Sequence, residues 1–318
     1  MSDQKQPPRE DQLSFGFRVE PGAPARLPRP PDDSPLARVR FGTSSFSWED
    51  WVGPFYPPGT KPGDFLRYYA TQFDVVEVDS TYYAIPEPRT VDGWAAKTPP
   101  HFRLAAKFPR SIVHAGAASK PDAERVLDPG ATYAERDQFL EVMSRLGDKL
   151  GPLVLQFPFF SRKAFESPEP FLERLDRFLG DLPRERTYAV EIRNPEWLGQ
   201  PLANVCRAHR AALVLVDQEW MPHGDRVERR MDVATGDFGY LRLLGKRQEI
   251  ERLTTTWERE VIDRQASLER WAMLLARWAV RGILTWVFVN NHYAGHAPAT
   301  VRRLEALFGA ALESEGAR

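Results

Sequence analysis

The chain has 318 residues, 27% of them charged, and a formal charge of only −1. That balance describes an ordinary globular protein and carries no bulk basic signal for nucleic acid, although a local basic groove stays open. The single cysteine, Cys206, excludes an intrachain disulfide, and no apolar run approaches the ~18 residues of a membrane span.

Residues 1–37 are rich in proline, arginine and aspartate, with PGAPARLPRPPDDSP at 21–35, and show neither helical nor strand periodicity. Such a segment buries too little apolar surface to offset its ordering entropy, so a disordered tail is expected. Its opening, MSDQKQPPRE, lacks the apolar core of a signal peptide, and a cytoplasmic location is the expectation. From residue 38 onward, strand-like runs alternate with helical patterns. The runs are VRFGTSSF (39–46), FDVVEVDS (73–80), FRLAAKF (102–108), PLVLQFP (152–158), TYAVEIR (187–193), AALVLVDQ (211–218), FGYLRLLG (238–245) and ILTWVFVNN (283–291). Helical patterns cover 133–150, 169–180, 194–210, 267–280 and 297–312. Strand then helix, repeated with even spacing, predicts a parallel sheet closed into one TIM-type (β/α)8 barrel over 38–312, with 313–318 as a tail; a doubly wound open sheet is the alternative. Irregularity is expected in the long stretch 109–131 and in 218–237, which joins strands six and seven without an amphipathic helix. Cys206, within PLANVCRAHR, reads as a small helical core residue and not a nucleophile.

Near the C-terminal ends of these runs stand Ser44, Glu77, Asp79, Lys107, Gln156, Glu191, Arg193, Asp217, Arg242, Asn290 and Asn291. Barrel enzymes keep their chemistry on that rim. Alternation along the strands aims Glu77, Asp79, Lys107, Glu191, Arg193 and Arg242, and with them Asp217, at the barrel axis. Burying so many charges costs more than apolar packing would, which favours function over stability as their reason. Glu77, Lys107 and Glu191 are therefore the candidate catalytic residues. Arg193, Arg242, Asn291, Gln156, Asp217, Tyr83 and Trp48 are candidates for holding a polar or anionic substrate, the arginines by their planar fork and the aromatics by stacking. A cluster kept for function also predicts that Lys107→Met or Arg242→Met costs little stability.

The ordered set FGTSSFSWEDWVGPFYP, FDVVEVDSTYYAIP with a following tryptophan, FRLAAKFPRSIVH, VLQFP, VEIRNPEW, YLRLLG and VNNHYAGHAP resembles the domain of unknown function 72, or YecE-like, family over about residues 38–312. The resemblance implies a TIM barrel, with Glu77, Lys107, Glu191, Arg193, Arg242 and Asn291 at the marked positions, and implies no settled activity. The chain departs from the family pattern at Leu244, where a histidine is common, at Val289, where a phenylalanine is usual, and at Val113, where a threonine is usual.

Only His292 of the six histidines lies beside a strand end, too few for a multi-zinc site. No cofactor is expected, while an oxygen-ligand Mg2+ or Mn2+ site from Glu77, Asp79, Glu191 and Asp217 stays open. No nucleophile elbow or Gly-rich phosphate loop occurs. The functional reading is an enzyme, a phosphoester or glycoside hydrolase or an isomerase, acting on a polar anionic or carbohydrate-like substrate by carboxylate acid/base chemistry. The alternative is a non-catalytic barrel that binds a small ligand or nucleic acid. Oligomeric state is not readable.

Overall fold

The computed structural model describes Pro31 and residues 34–115 and 120–316. Most of the expected N-terminal tail lies outside these residues. Its last part enters a 3-10 turn, Pro35–Arg38, capped by the Ser34 hydroxyl, which accepts from Leu36 N at 3.2 Å.

All eight expected strands are present: β1 Val39–Thr43, β2 Val75–Val78, β3 Arg103–Lys107, β4 Leu150–Gln156, β5 Tyr188–Glu191, β6 Ala212–Gln218, β7 Phe238–Gly245 and β8 Leu284–Val289. Helices α1 Phe65–Gln72, α2 Pro88–Lys97, α3 Arg110–Val113, α4 Pro129–Ser144, α5 Glu169–Gly180, α6 Gln200–Ala208, α7 Gly224–Glu228, α8 Arg247–Glu251, α9 Gln265–Val280, α10 Asn291–Ala294 and α11 Ala297–Gly316 surround them. In α5, Phe171, Leu172, Leu175, Phe178 and Leu179 share the face turned to the sheet, the spacing expected of an amphipathic helix. Asp128 caps α4 by accepting from Ala131 N at 3.0 Å, which explains why that helix starts ahead of residue 133. The last helix runs through Gly316, past the expected boundary at 312, and the single turn α10 precedes it. As expected, only a short helix, α7, interrupts the link between β6 and β7, and Cys206 is buried in α6.

The strands are parallel throughout, in the order β1-β8-β7-β6-β5-β4-β3-β2. Closure is seen in the ladder of β1 with β8, which runs from Val39 opposite Thr285 to Thr43 opposite Val289. Between β1 and β2 the described residues form no backbone ladder, and the Tyr69 phenol of α1 fills the seam. Its hydroxyl accepts from Thr43 N at 2.9 Å and donates to Val75 O at 3.1 Å, so one side chain stands in for the missing ladder bonds. Gly42 makes this approach possible, because a Cβ there would come within 2.2 Å of the Val75 carbonyl oxygen. The barrel is therefore nearly closed, with a tyrosine-bridged seam.

Two apolar layers follow from strand alternation. Outward side chains such as Val76, Val78, Leu104, Val190, Leu241 and Val287 meet the helices, while Val75, Ala105, Val154, Ala189, Val214, Tyr240, Trp286 and Phe288 fill the barrel itself.

Candidate active site

Two residues beyond the apolar filling, the same strands turn charged. Glu77 lies two positions after Val75, Lys107 after Ala105, Gln156 after Val154, Glu191 after Ala189 and Arg242 after Tyr240, so all five point inward by the same alternation. Arg242 is the hub. Its Nη2 and Nε donate to Glu77 Oε1 at 2.7 and 3.1 Å, and its Nη1 donates to Glu191 Oε2 at 2.7 Å and to Gln156 Oε1 at 2.8 Å. The Tyr240 hydroxyl donates to the other oxygen of Glu77 at 2.6 Å. Arg193 pairs with Glu191, and Lys107 pairs with Asp79 and stands 3.6 Å from Glu77.

The result is a neutral cluster of three carboxylates and three cations. Burial pushes both glutamates up, but their cations outweigh it: Arg242 and Lys107 hold Glu77 below the usual carboxylate range, and Arg193 with Arg242 takes Glu191 down to about 2. Burial also opposes the charge on Arg242, yet Glu191 and Glu77 raise its pKa well above the ordinary value. Asp79 moves the other way. Desolvation and the nearby Glu77 raise its carboxyl despite the pull of Lys107. Of the carboxylates only Asp79 reaches solvent appreciably, at 28% of its side chain, and among the cations Arg193 is the most open at 12%.

Four expected site residues sit elsewhere or act differently. Asp217 faces out of the barrel, where its Oδ2 accepts from Ser267 Oγ at 2.8 Å, Trp271 Nε1 at 2.7 Å and the Tyr293 hydroxyl at 2.9 Å. The alternation misled because Ala212–Val216 is apolar on both faces and carries no phase of its own. The phase comes from β7: Val216 lies opposite the inward Arg242, and Asp217 opposite the outward Leu243. Asn291 lies buried in α10, where its Oδ1 accepts from Trp51 Nε1 at 3.2 Å and Ala297 N at 2.9 Å, tying the first loop to the last helix. Trp48 packs edge-on against Trp257, with ring centroids 6.1 Å apart. Tyr83 is 79% exposed and leans edge-on to Tyr82, whose ring lies 6.0 Å from Lys107 Nζ.

Of the other loop aromatics, Trp51, Tyr56, Trp197 and Tyr293 are buried as supporting core. Tyr240 and Asp79 were legible from alternation, being two residues from Arg242 and Glu77. Trp220, whose indole donates to the Arg193 carbonyl at 3.2 Å, carries no local sequence signal for that contact. Directly after β1, Ser44 lies buried with its hydroxyl unpartnered among the described residues, and the next residue, Ser45, adopts φ 148°, a conformation non-glycine residues avoid. Among the described residues no three His, Cys, Asp or Glu side chains converge as metal ligands would. A divalent ion at Glu77 or Glu191 would have to displace Arg242, and Asp217 lies across the barrel wall from both.

The family described as protein of unknown function DUF72 matches residues 40–317. The UPF0759 protein YecE of Escherichia coli is 36% identical over 135 residues, 42% of this chain and 43% of that protein. The UPF0759 protein YunF of Bacillus subtilis is 28% identical over 149 residues, 46% of this chain and 48% of that protein. The matched stretch thus spans less than half the length of these curated relatives. The crystal structure of a DUF72 family protein from Thermotoga maritima superposes with a TM-score of 0.63 at 28% identity, covering 86% of this chain and 99% of the other. One from Enterococcus faecalis gives 0.56 at 20% identity over 86% and 95%, a likeness of fold.

Proposed function

The chain belongs to the DUF72 family, and we propose that its barrel mouth is an active site that works on a polar substrate by proton transfer. Asp79 and Lys107 handle the proton, and Arg193 meets a negatively charged or strongly polar group of the substrate. The observation that carries this reading is the gradient of exposure: Glu77, Glu191 and Arg242 are sealed below, while Asp79 and Arg193 look out of the mouth.

Glu191 and Glu77 stay ionised through neutral pH and hold Arg242, Arg193 and Lys107 in place by ion pairing. Asp79, its carboxyl raised by desolvation and by the nearby Glu77 and with Lys107 beside it, is the group placed at the mouth to exchange a proton with a substrate. The finer form of the proposal is a cytoplasmic hydrolase. In it, Asp79 protonates the leaving oxygen of an ester or glycoside as that bond breaks, water adds its hydroxide to the other fragment, and the remaining proton of the water returns to Asp79.

A turnover screen by one-dimensional NMR, with phosphoesters, glycosides and sugar acids as substrates, tests the reading. We expect one class to be consumed by the wild type and at least about a hundredfold more slowly by Asp79→Asn. Turnover of none, or turnover indifferent to Asp79→Asn, would return the cluster to a structural or purely ligand-holding role. That second role is the one favoured by the saturation of Arg242 by Glu77, Gln156 and Glu191.

A further inference from the structure

Among the described residues, seven large apolar side chains are exposed, and the three aromatic ones, Tyr83, Phe159 and Trp220, all stand on loops that leave the C-terminal rim. They follow β2, β4 and β6, alternate positions around the ring, with exposures of 79%, 52% and 50%. Each is anchored to the neighbourhood of the charge cluster. Tyr83 leans on Tyr82 at 5.5 Å, and Tyr82 stands over Lys107. Phe159 precedes Phe160, whose amide donates to Asn194 Oδ1 at 2.8 Å and whose carbonyl accepts from Asn194 Nδ2 at 2.9 Å, and Asn194 directly follows Arg193. Trp220 is held to the Arg193 carbonyl. Solvent-facing aromatics around a polar centre are what a binding rim needs, and their exposure means that barrel packing does not account for them.

We infer that this rim binds a carbohydrate chain, whose successive sugar rings stack on Tyr83, Phe159 and Trp220 while the central residue meets Asp79 and Arg193. The inference rests on the active-site reading above and names its substrate class. The three aromatics stand on three separate loops, after β2, β4 and β6, and each of these loops also carries charged residues, such as Glu87, Arg162 with Lys163, and Glu219. A pyranose matches that combination, with an apolar C–H face for the ring and hydroxyls around its edge for Asp79, Arg193 and Gln156. A docking protein would call for a contiguous apolar centre. A polynucleotide would call for cations to release its counterions. The loops that build this face carry more carboxylates than cations, among them Glu49, Asp50, Glu87, Glu196 and Glu219. A ligand that touches loops two, four and six must also span the mouth, which makes it an oligomer and not one ring.

Calorimetric titration of the full chain with cellohexaose, maltohexaose, xylohexaose and N-acetylchitohexaose is the test, with oligothymidylate as the competing class. At least one hexasaccharide is expected to bind in the micromolar range and more tightly than its monosaccharide. Trp220→Ala, Tyr83→Ala and Phe159→Ala, all at exposed positions, are each expected to weaken it about tenfold. Asp79→Asn is expected to retain binding within about threefold while stopping turnover, which separates failure of stacking from failure of proton transfer. Absence of binding by every glycan, binding indifferent to all three aromatic changes, or a preference for oligothymidylate that falls steeply with salt would overturn the carbohydrate assignment. In each of those cases the proton-transfer reading stands or falls by its own turnover test.

Discussion

Below the level of Glu77 the barrel is filled by Val75, Ala105, Val154, Ala189, Val214, Trp286 and Phe288; one layer higher, Glu77, Lys107, Gln156, Glu191 and Arg242 occupy the same ring. Both layers are buried, yet their cohesion differs in kind. The lower one gains by removing apolar area from water and by close packing, which is insensitive to pH. The upper one must offset the desolvation of its ions by mutual pairing, so each member depends on the others being present and charged. A layer that costs this much, placed only at the rim where loops admit solvent, marks where the barrel departs from simple packing.

The sharpest way to break the comparison is to damage each layer by a similar amount and change the pH. Phe288→Ala and Arg242→Met are each expected to cost ~3–5 kcal/mol at pH 7, the first by a cavity and the second by leaving Glu77 and Glu191 unpaired. In chemical denaturation at pH 4, the Arg242→Met deficit should shrink as the stranded carboxylates take up protons, whereas the Phe288→Ala deficit should not. This replaces the expectation that Arg242→Met costs little, because Arg242 proves to be saturated on every side. A loss under about 1 kcal/mol at pH 7 would restore it.

Proton linkage sharpens the same contrast at lower amplitude. The folded-state pKa of Glu191, about 2, is depressed from an unfolded value near ~4.3, so its contribution is full above that value and is lost as pH falls toward 2. That amounts to about 3 kcal/mol, and Glu191→Gln should flatten the acid limb of the stability curve correspondingly. Asp79 has the opposite sign. Its raised pKa contributes stability below the unfolded value of ~3.9 that is lost as pH rises through the folded one, so Asp79→Asn should raise stability near neutrality. Carboxyl-detected NMR titration should show the two groups moving apart; coincident midpoints would remove the basis for assigning them different roles.

Smaller effects belong to the seam and to the outer wall. Tyr69→Phe leaves Thr43 N without its acceptor between β1 and β2 and is expected to cost ~1–3 kcal/mol, with hydrogen exchange rising at Thr43. Asp217→Asn, which disturbs the acceptor of Ser267, Trp271 and Tyr293, should cost a comparable ~1–3 kcal/mol and leave the Asp79 titration unmoved. A shift of Asp79 in that variant would contradict the separation of the two sides of the wall. Smallest is the expected response of Cys206: burial pushes its thiol up to about 12, so it should resist alkylation until the barrel unfolds.

Eight strands, their parallel order and the inward direction of Glu77, Lys107, Glu191 and Arg242 were all readable from the chain, because alternation with a polar member has a phase that local residues reveal. The barrel and five of the helices follow from the same short-range periodicities. Where that phase is missing, as in the uniformly apolar Ala212–Val216, only the ladder with β7 decides that Asp217 leaves the barrel. Asn291 likewise depended on Trp51, 240 residues away and outside any window of sequence, as well as on the amide of Ala297, six residues on. Tertiary structure alone also decided which ions are sealed and which are reachable, that a tyrosine hydroxyl closes the seam, and that Tyr83, Phe159 and Trp220 stay exposed while Trp51 and Trp197 are buried. The physical reason is common to all of these: side-chain direction is a local property of a strand, whereas desolvation and partnership are set by whatever the rest of the chain brings alongside.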